Sequence, residues 1–141
     1  MSTEQKKAND RRLIEGLNQG NMNVLDELMV LNFVDHEAST TMQGLEAFKQ
    51  FVSAYLTAFP DLHFTIEDQI AEEDKTTLRY TARGTHRGDL MGIPPTGKQV
   101  TVTGIFITRW ANGKAEESWL NFDALGMLQQ LGVVPAPGQS G

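Results

Sequence analysis

The spacing of apolar residues changes period once in mid-chain, at Pro60-Asp61, and that change limits what the chain can fold into. Upstream, Leu45, Phe48, Phe51, Val52, Tyr55 and Phe59 mark one helical face from Gly44 onward, and Pro60 ends the run. Downstream, Leu62, Phe64, Ile66, Asp68 and Ile70 alternate with His63, Thr65, Glu67 and Gln69, which is the period of a strand. Helices first and hairpin-linked strands afterwards exclude alternating βαβ units and predict an α+β fold with an antiparallel sheet.

The other elements follow from the same reasoning. Leu13, Ile14 and Leu17 predict a first helix from about Thr3 to Gly20; Val24, Leu25, Leu28 and Met29 predict a shorter second one. Phe33 to Glu37 reads as a brief extended segment with His36 between Asp35 and Glu37, followed by a polar loop, Ala38 to Gln43. The acidic turn Glu72-Glu73-Asp74 leads into a strand in which Leu78, Tyr80, Ala82, Gly84 and His86 share a face. A loop rich in Gly and Pro, Gly88 to Lys98, precedes a third long strand, Gln99 to Trp110. Asn112-Gly113 then suits a type I′ turn, which sets Trp110 opposite Ala115 and Phe106 opposite Trp119 on a last strand ending at Asp123. Leu125, Met127, Leu128 and Leu131 predict a closing helix that stops at Gly132. One domain is expected over residues 1–134, with 135–141 a flexible tail. Twisted and curved, such a sheet folds around the helices and leaves a hollow between them.

Composition narrows the function. Eighteen acidic residues against twelve basic ones give no footprint for phosphates, so nucleic acid is not an expected partner. With zero cysteines, disulfide, thiolate-zinc and cysteine-nucleophile chemistry are excluded together. His36, His63 and His86 show no paired ligand spacing, so no metal is expected. Pro94 and Pro95 deprive the Gly92–Gly97 loop of the amides that a phosphate cradle needs. The polar start, Met1 to Arg12, and the lack of any long apolar run predict a cytoplasmic protein with no membrane partner.

Met91-Gly92-Ile93-Pro94-Pro95-Thr96-Gly97-Lys98, Gly104 with Arg109, Trp119 with Asp123, Leu125-Gly126 and Gln130-Leu131-Gly132 resemble the SnoaL-like polyketide cyclase family of the NTF2-like superfamily. Phe59-Pro60-Asp61-Leu62 and Gly84-Thr85-His86 extend the likeness over nearly the whole chain after the first helix. The resemblance implies a conical scaffold with helices in the concave face of the sheet. It also implies an intramolecular aldol ring closure without metal or organic cofactor, driven by an acidic pocket residue. A different gapping sets the aspartate of those cyclases against Leu120.

Alternation over Glu117 to Asp123 places Trp119, Asn121 and Asp123 on one face, joined across the hairpin by Phe106 and Gly104. That predicts an apolar pocket with Trp119 and Phe106 as walls, Asn121 as a hydrogen-bonding group and Asp123 as the acid; a carboxyl withdrawn from water suits proton transfer near neutral pH. Asp123 also stands where an N-cap for the last helix is required, and both readings are open. His86 is the second catalytic candidate, as a group that polarises a carbonyl or relays a proton. His36, Tyr55 and Met91 complete the expected substrate contacts. Two functions are open: cofactor-free acid/base catalysis on a small carbonyl compound, or small-molecule binding without catalysis. A homodimer through the outer sheet face, at Thr81, Ile105 and Ile107, is also expected.

Overall fold

Ser2 opens the first helix, α1 (Thr3–Asn18), with a capping box: its hydroxyl accepts from the Gln5 amide at 3.1 Å, and the Gln5 side chain accepts from the Ser2 amide at 2.8 Å. The computed structural model describes residues 1–37, 40–135 and 138, so most of the expected tail, and Ala38-Ser39 of the polar loop, lie outside the described residues. After α1 come α2 (Asn23–Leu28), β1 (Met29–His36), β2 (Thr41–Gln43), α3 (Leu45–Ala58), β3 (His63–Glu72), β4 (Lys75–Thr85), β5 (Gln99–Ala111), β6 (Lys114–Phe122) and α4 (Ala124–Leu131). Among the described residues no helix is long and apolar enough to cross a membrane.

The strands form one curved six-stranded sheet in the order β2-β1-β6-β5-β4-β3. Its pairs are antiparallel except β1 with β6, which is parallel, a departure from the all-antiparallel expectation. Two further corrections concern this edge. Met29 belongs to β1 and not to the second helix, because the chain is already extended at Met29 (φ −124°, ψ 148°). The polar loop holds the short strand β2, which pairs with Val34 to His36.

The β5–β6 hairpin turns as expected, with positive φ at Asn112 (53°) and Gly113 (82°), and Trp110 opposes Ala115. One residue later the register shifts: Glu117 pairs with Arg109, which leaves Glu116 as the extra residue of a β-bulge. Beyond it Phe106 opposes Leu120, and Trp119 opposes Ile107. A one-residue slip moves every following side chain to the other face, so the expected pairing of Phe106 with Trp119 is replaced by Phe106 with Leu120. A second bulge, between Ile66 and Asp68 on β3, turns Ile70 outward, where it is 63% exposed.

Helices α1 and α3 pack on the concave side. Asn18 fastens α1 to β3 by bonding both backbone groups of Phe64, donating to its carbonyl at 2.9 Å and accepting from its amide at 2.7 Å. Leu13 and Leu17 of α1 join Leu25, Phe33 and Trp110 in one core cluster. The Trp110 indole donates to the Thr76 hydroxyl at 2.9 Å, which satisfies the polar end of a nearly covered ring. Of the three residues expected to face a second copy, Ile105 and Ile107 are exposed on the outer face, whereas Thr81 is almost covered.

Asp10, on the covered side of α1, is fully buried, and neither carboxylate oxygen has a hydrogen-bond partner. Burial pushes its pKa up from 3.8 to about 7, against smaller opposing effects of the Thr76 hydroxyl and the Arg11 charge. The folded state therefore binds more protons than the unfolded state between these values. The stability attached to Asp10 is present in acid, is lost as pH rises toward 7, and stays lost above, a change on the order of 4 kcal/mol. Asp10→Asn should accordingly raise the melting temperature relative to the parent at about pH 8 and much less at about pH 4. Thermal denaturation across that range checks it, and a difference independent of pH would contradict it.

Candidate functional site

A cavity of about 140 Å³ lies between the concave face of the sheet and helices α1 and α3. Its wall is largely apolar: Leu13, Ile14 and Leu17 from α1, Phe48, Phe51, Val52 and Leu56 from α3, and Phe64, Val102, Phe106, Leu120 and Phe122 from the strands. The β6 bulge makes Leu120 and Phe122 part of this wall.

Three polar side chains lie in a row across neighbouring strands of that wall. Asp35 of β1 is in register with Ser118 of β6, and Ser118 with Thr108 of β5. Asp35 is the only acidic residue lining the cavity among the described residues, and it is fully buried. Its Oδ1 accepts the Ser118 hydroxyl, while Oδ2 has no partner. Burial raises its pKa, and the Ser118 hydroxyl and the His36 charge only partly offset that.

Glu37 sits two residues further along and therefore on the same side of the chain as Asp35. Burial first, then the charge of Asp35, push Glu37 up from 4.5 to about 7. The charge of Asp35 disfavours a second charge on the half-buried Glu37, so the two carboxyls titrate as a coupled pair. Tyr55 and Tyr80 also line the cavity. Burial, with the nearby Glu37 charge, raises the Tyr55 pKa to about 12, and burial with the charges of Tyr55, Glu37 and Asp35 raises that of Tyr80.

The site residues expected from sequence fall in four places. Phe106 and Tyr55 line the cavity. Trp119, Asn121 and Asp123 do come together, but around a shallow depression on the outer face, with Ile105, Ile107 and Arg79. Asp123 is the N-cap of α4, its carboxylate accepting the Gly126 amide at 2.9 Å. His36 is on the same outer side, stacked on Trp119 with ring centroids 5.4 Å apart and bonded through Nε2 to Glu117 at 2.6 Å.

His86 is fully buried at the end of β4, where it brackets the Gly88–Lys98 loop. Its Nδ1 accepts the Thr96 amide at 3.1 Å, its backbone amide donates to the Lys98 carbonyl at 2.9 Å, and its carbonyl accepts the Gly97 amide at 2.8 Å. Nε2 has no partner, and the imidazole ring lies beside the Phe59 ring with centroids 5.4 Å apart. Met91, at the tip of that loop, is 72% exposed.

The residues that alternation alone missed are Asp35, Glu37, Ser118 and Tyr80 as a group. Asp35 and Glu37 had a signal: with Phe33 they share a face opposite His36, and a strand carrying Phe33 inward carries both acids inward too.

The profile of the SnoaL-like polyketide cyclase family matches residues 7–131 of the chain. The aklanonic acid methyl ester cyclase DnrD of Streptomyces peucetius is 29% identical over 127 residues, covering 86% of this chain and 87% of that protein. Among solved structures, AclR of Streptomyces galilaeus superimposes with a TM-score of 0.89 at 26% identity, over 98% of this chain and 87% of that one. Wild-type IdmH of Streptomyces antibioticus does so with a TM-score of 0.79 at 29% identity, over 89% of this chain and 97% of that one. A match that spans both the helices and the whole sheet, on a sheet curved around one apolar cavity, places the chain in the SnoaL-like polyketide cyclase family.

Proposed function

We propose that the protein performs cofactor-free acid/base chemistry on a small carbonyl compound, an aldol ring closure or a related proton-transfer step, with Asp35 as the group that moves the proton. The observation that carries this reading is the unpaired Oδ2 of a fully buried aspartate in an apolar cavity, held by Ser118 on its other oxygen. A carboxylate kept out of water is a stronger base toward carbon, and its pKa moves toward working pH.

The step balances without an oxidant or a reductant. Asp35 takes a proton from the carbon next to a carbonyl, the resulting enolate carbon attacks a second carbonyl, and the new alkoxide receives a proton from the Asp35–Glu37 pair. The pair ends with the one proton it began with. Ser118 orients Asp35 and acts through it as a positioning residue.

A binding function without catalysis has one observation in its favour. Leu120, which one alignment sets against the cyclases' aspartate, projects into the cavity and can transfer no proton. Exchange of α-protons into heavy water, followed by NMR on a panel of ring-sized ketones and β-keto esters, separates the two readings. A catalyst accelerates the exchange and a binder does not.

Asp35→Asn should lower that exchange roughly a hundredfold or more, since the amide cannot accept a proton. Asp123→Asn should leave it and the melting temperature nearly unchanged, since Asn caps a helix as well as Asp does. The opposite pattern would move the acid to the outer face. The pH profile supplies a second check: Glu37 holds the shared proton below about pH 7 and loses it above, so activity should fall as pH rises through that value. Glu37→Gln cannot ionise and should remove that alkaline limb, leaving Asp35 to return the proton it takes, whereas an unchanged limb would assign it to another group.

A further inference from the structure

We infer that Tyr55 and Tyr80 are the carbonyl-binding groups of the cavity, and that the compound bound there is a ring-sized ketone whose oxygen takes both hydroxyl protons. This deepens the acid/base reading of Asp35 and rests on it for the chemistry, though not for the binding.

Tyr80 occupies its place because of one glycine. It is in register with Gly104 on β5, and a Cβ at Gly104 would stand 2.4 Å from the Tyr80 hydroxyl oxygen. Without that Cβ the ring lies across β5, with its edge toward Phe64 (centroids 5.3 Å apart), and its hydroxyl reaches over the neighbouring strand. Tyr55 approaches from α3 on the opposite wall, its ring meeting Phe122 edge-on at 5.9 Å. Both rings are held by aromatic neighbours, and both residues line the cavity.

Two phenolic donors are the neutral hydroxyls best suited to a carbonyl group in this largely apolar chamber, and an acceptor with two lone pairs, such as a carbonyl oxygen, suits both. Burial keeps both phenols protonated, so they serve as donors throughout the neutral range. When an α-proton is withdrawn, charge develops on that same oxygen, and donors fixed in advance stabilise it most. The size of the ligand follows from volume. At about 140 Å³ the chamber matches an apolar cavity of roughly 150 Å³ that takes one benzene ring.

Cyclohexanone labelled with ¹³C at the carbonyl is the probe. Bound to the full-length protein, its carbonyl resonance should move downfield by several parts per million, as expected for an oxygen that accepts hydrogen bonds. Tyr80→Phe and Tyr55→Phe should each bind it roughly three- to tenfold more weakly and return part of that shift. In Asp35→Asn the shift should persist while α-proton exchange is lost. An undiminished shift in both tyrosine variants would overturn the hydroxyl pair, and no binding of cyclohexanone by the parent would overturn the ligand class. A normal shift with no exchange in the parent would uphold the hydroxyl pair and overturn the role given to Asp35, so the two failures are distinguishable.

Discussion

Each side chain of β6 beyond Glu116 owes its direction to a single extra residue, and the inner surface of the domain depends on that. The bulge allows the hairpin to begin in one register at the Asn112-Gly113 turn and continue in another, so that Trp110 and Ala115 point inward at the turn and Ser118, Leu120 and Phe122 point inward further on. Without it Glu117, Trp119 and Asn121 would face α3. The cavity would then hold a charge and an indole where it now holds a hydroxyl and two apolar chains. The bulge also brings Ser118 level with Asp35, so the same backbone irregularity that shapes the wall supplies the donor that orients the carboxyl.

The carboxyl is kept at the expense of stability. A buried acid with one free oxygen is a group that a chain selected only for folding would replace, since an apolar residue there would extend the core at no desolvation cost. Asp10 raises the same issue on the far side of α1, where Thr76 and Trp110 already form a bonded pair and both carboxylate oxygens remain free. The two differ in access. Asp35 lines the cavity and Asp10 does not, so on the proposed reading it is Asp35 whose proton a bound molecule would reach.

Much of the fold could be read from the sequence because it rests on local signals. The helical stripe ending at Pro60, the period-two runs after it, the Asn112-Gly113 turn and the stop at Gly132 are each set by residues within a few positions of one another, and each appears where expected. The site was less legible because it rests on register, which is not local. No residue near Glu116 announces a bulge, and counting back from the turn without one sends Trp119 and Asn121 to the wrong face. The parallel pairing of β1 with β6 was hidden for the same reason: their partners lie about eighty positions apart in the chain, and nothing in Phe33 to Glu37 indicates which strand they will meet. The likeness to a known family supplied the scaffold that local signals could not, but carried the acid only as far as Leu120.

That position shows why the two strands should be considered together. A carboxyl at Leu120 and a carboxyl at Asp35 would enter one cavity from adjacent strands, about 5 Å apart laterally and two residues, or about 7 Å, along the sheet. A ligand the size of one ring spans that distance. Exchanging one acid for the other would therefore leave the chamber and the reaction class in place while changing which edge of the ligand meets the base. With Asp35 as the base, the reacting carbon must lie toward β1 and its carbonyl oxygen toward Tyr55 and Tyr80. The apolar surface around Leu120 is then left for the part of the ligand that does not react. Selectivity on that account is set by how much unreactive bulk the Leu120 end accepts, and it is a property of packing volume and not of charge.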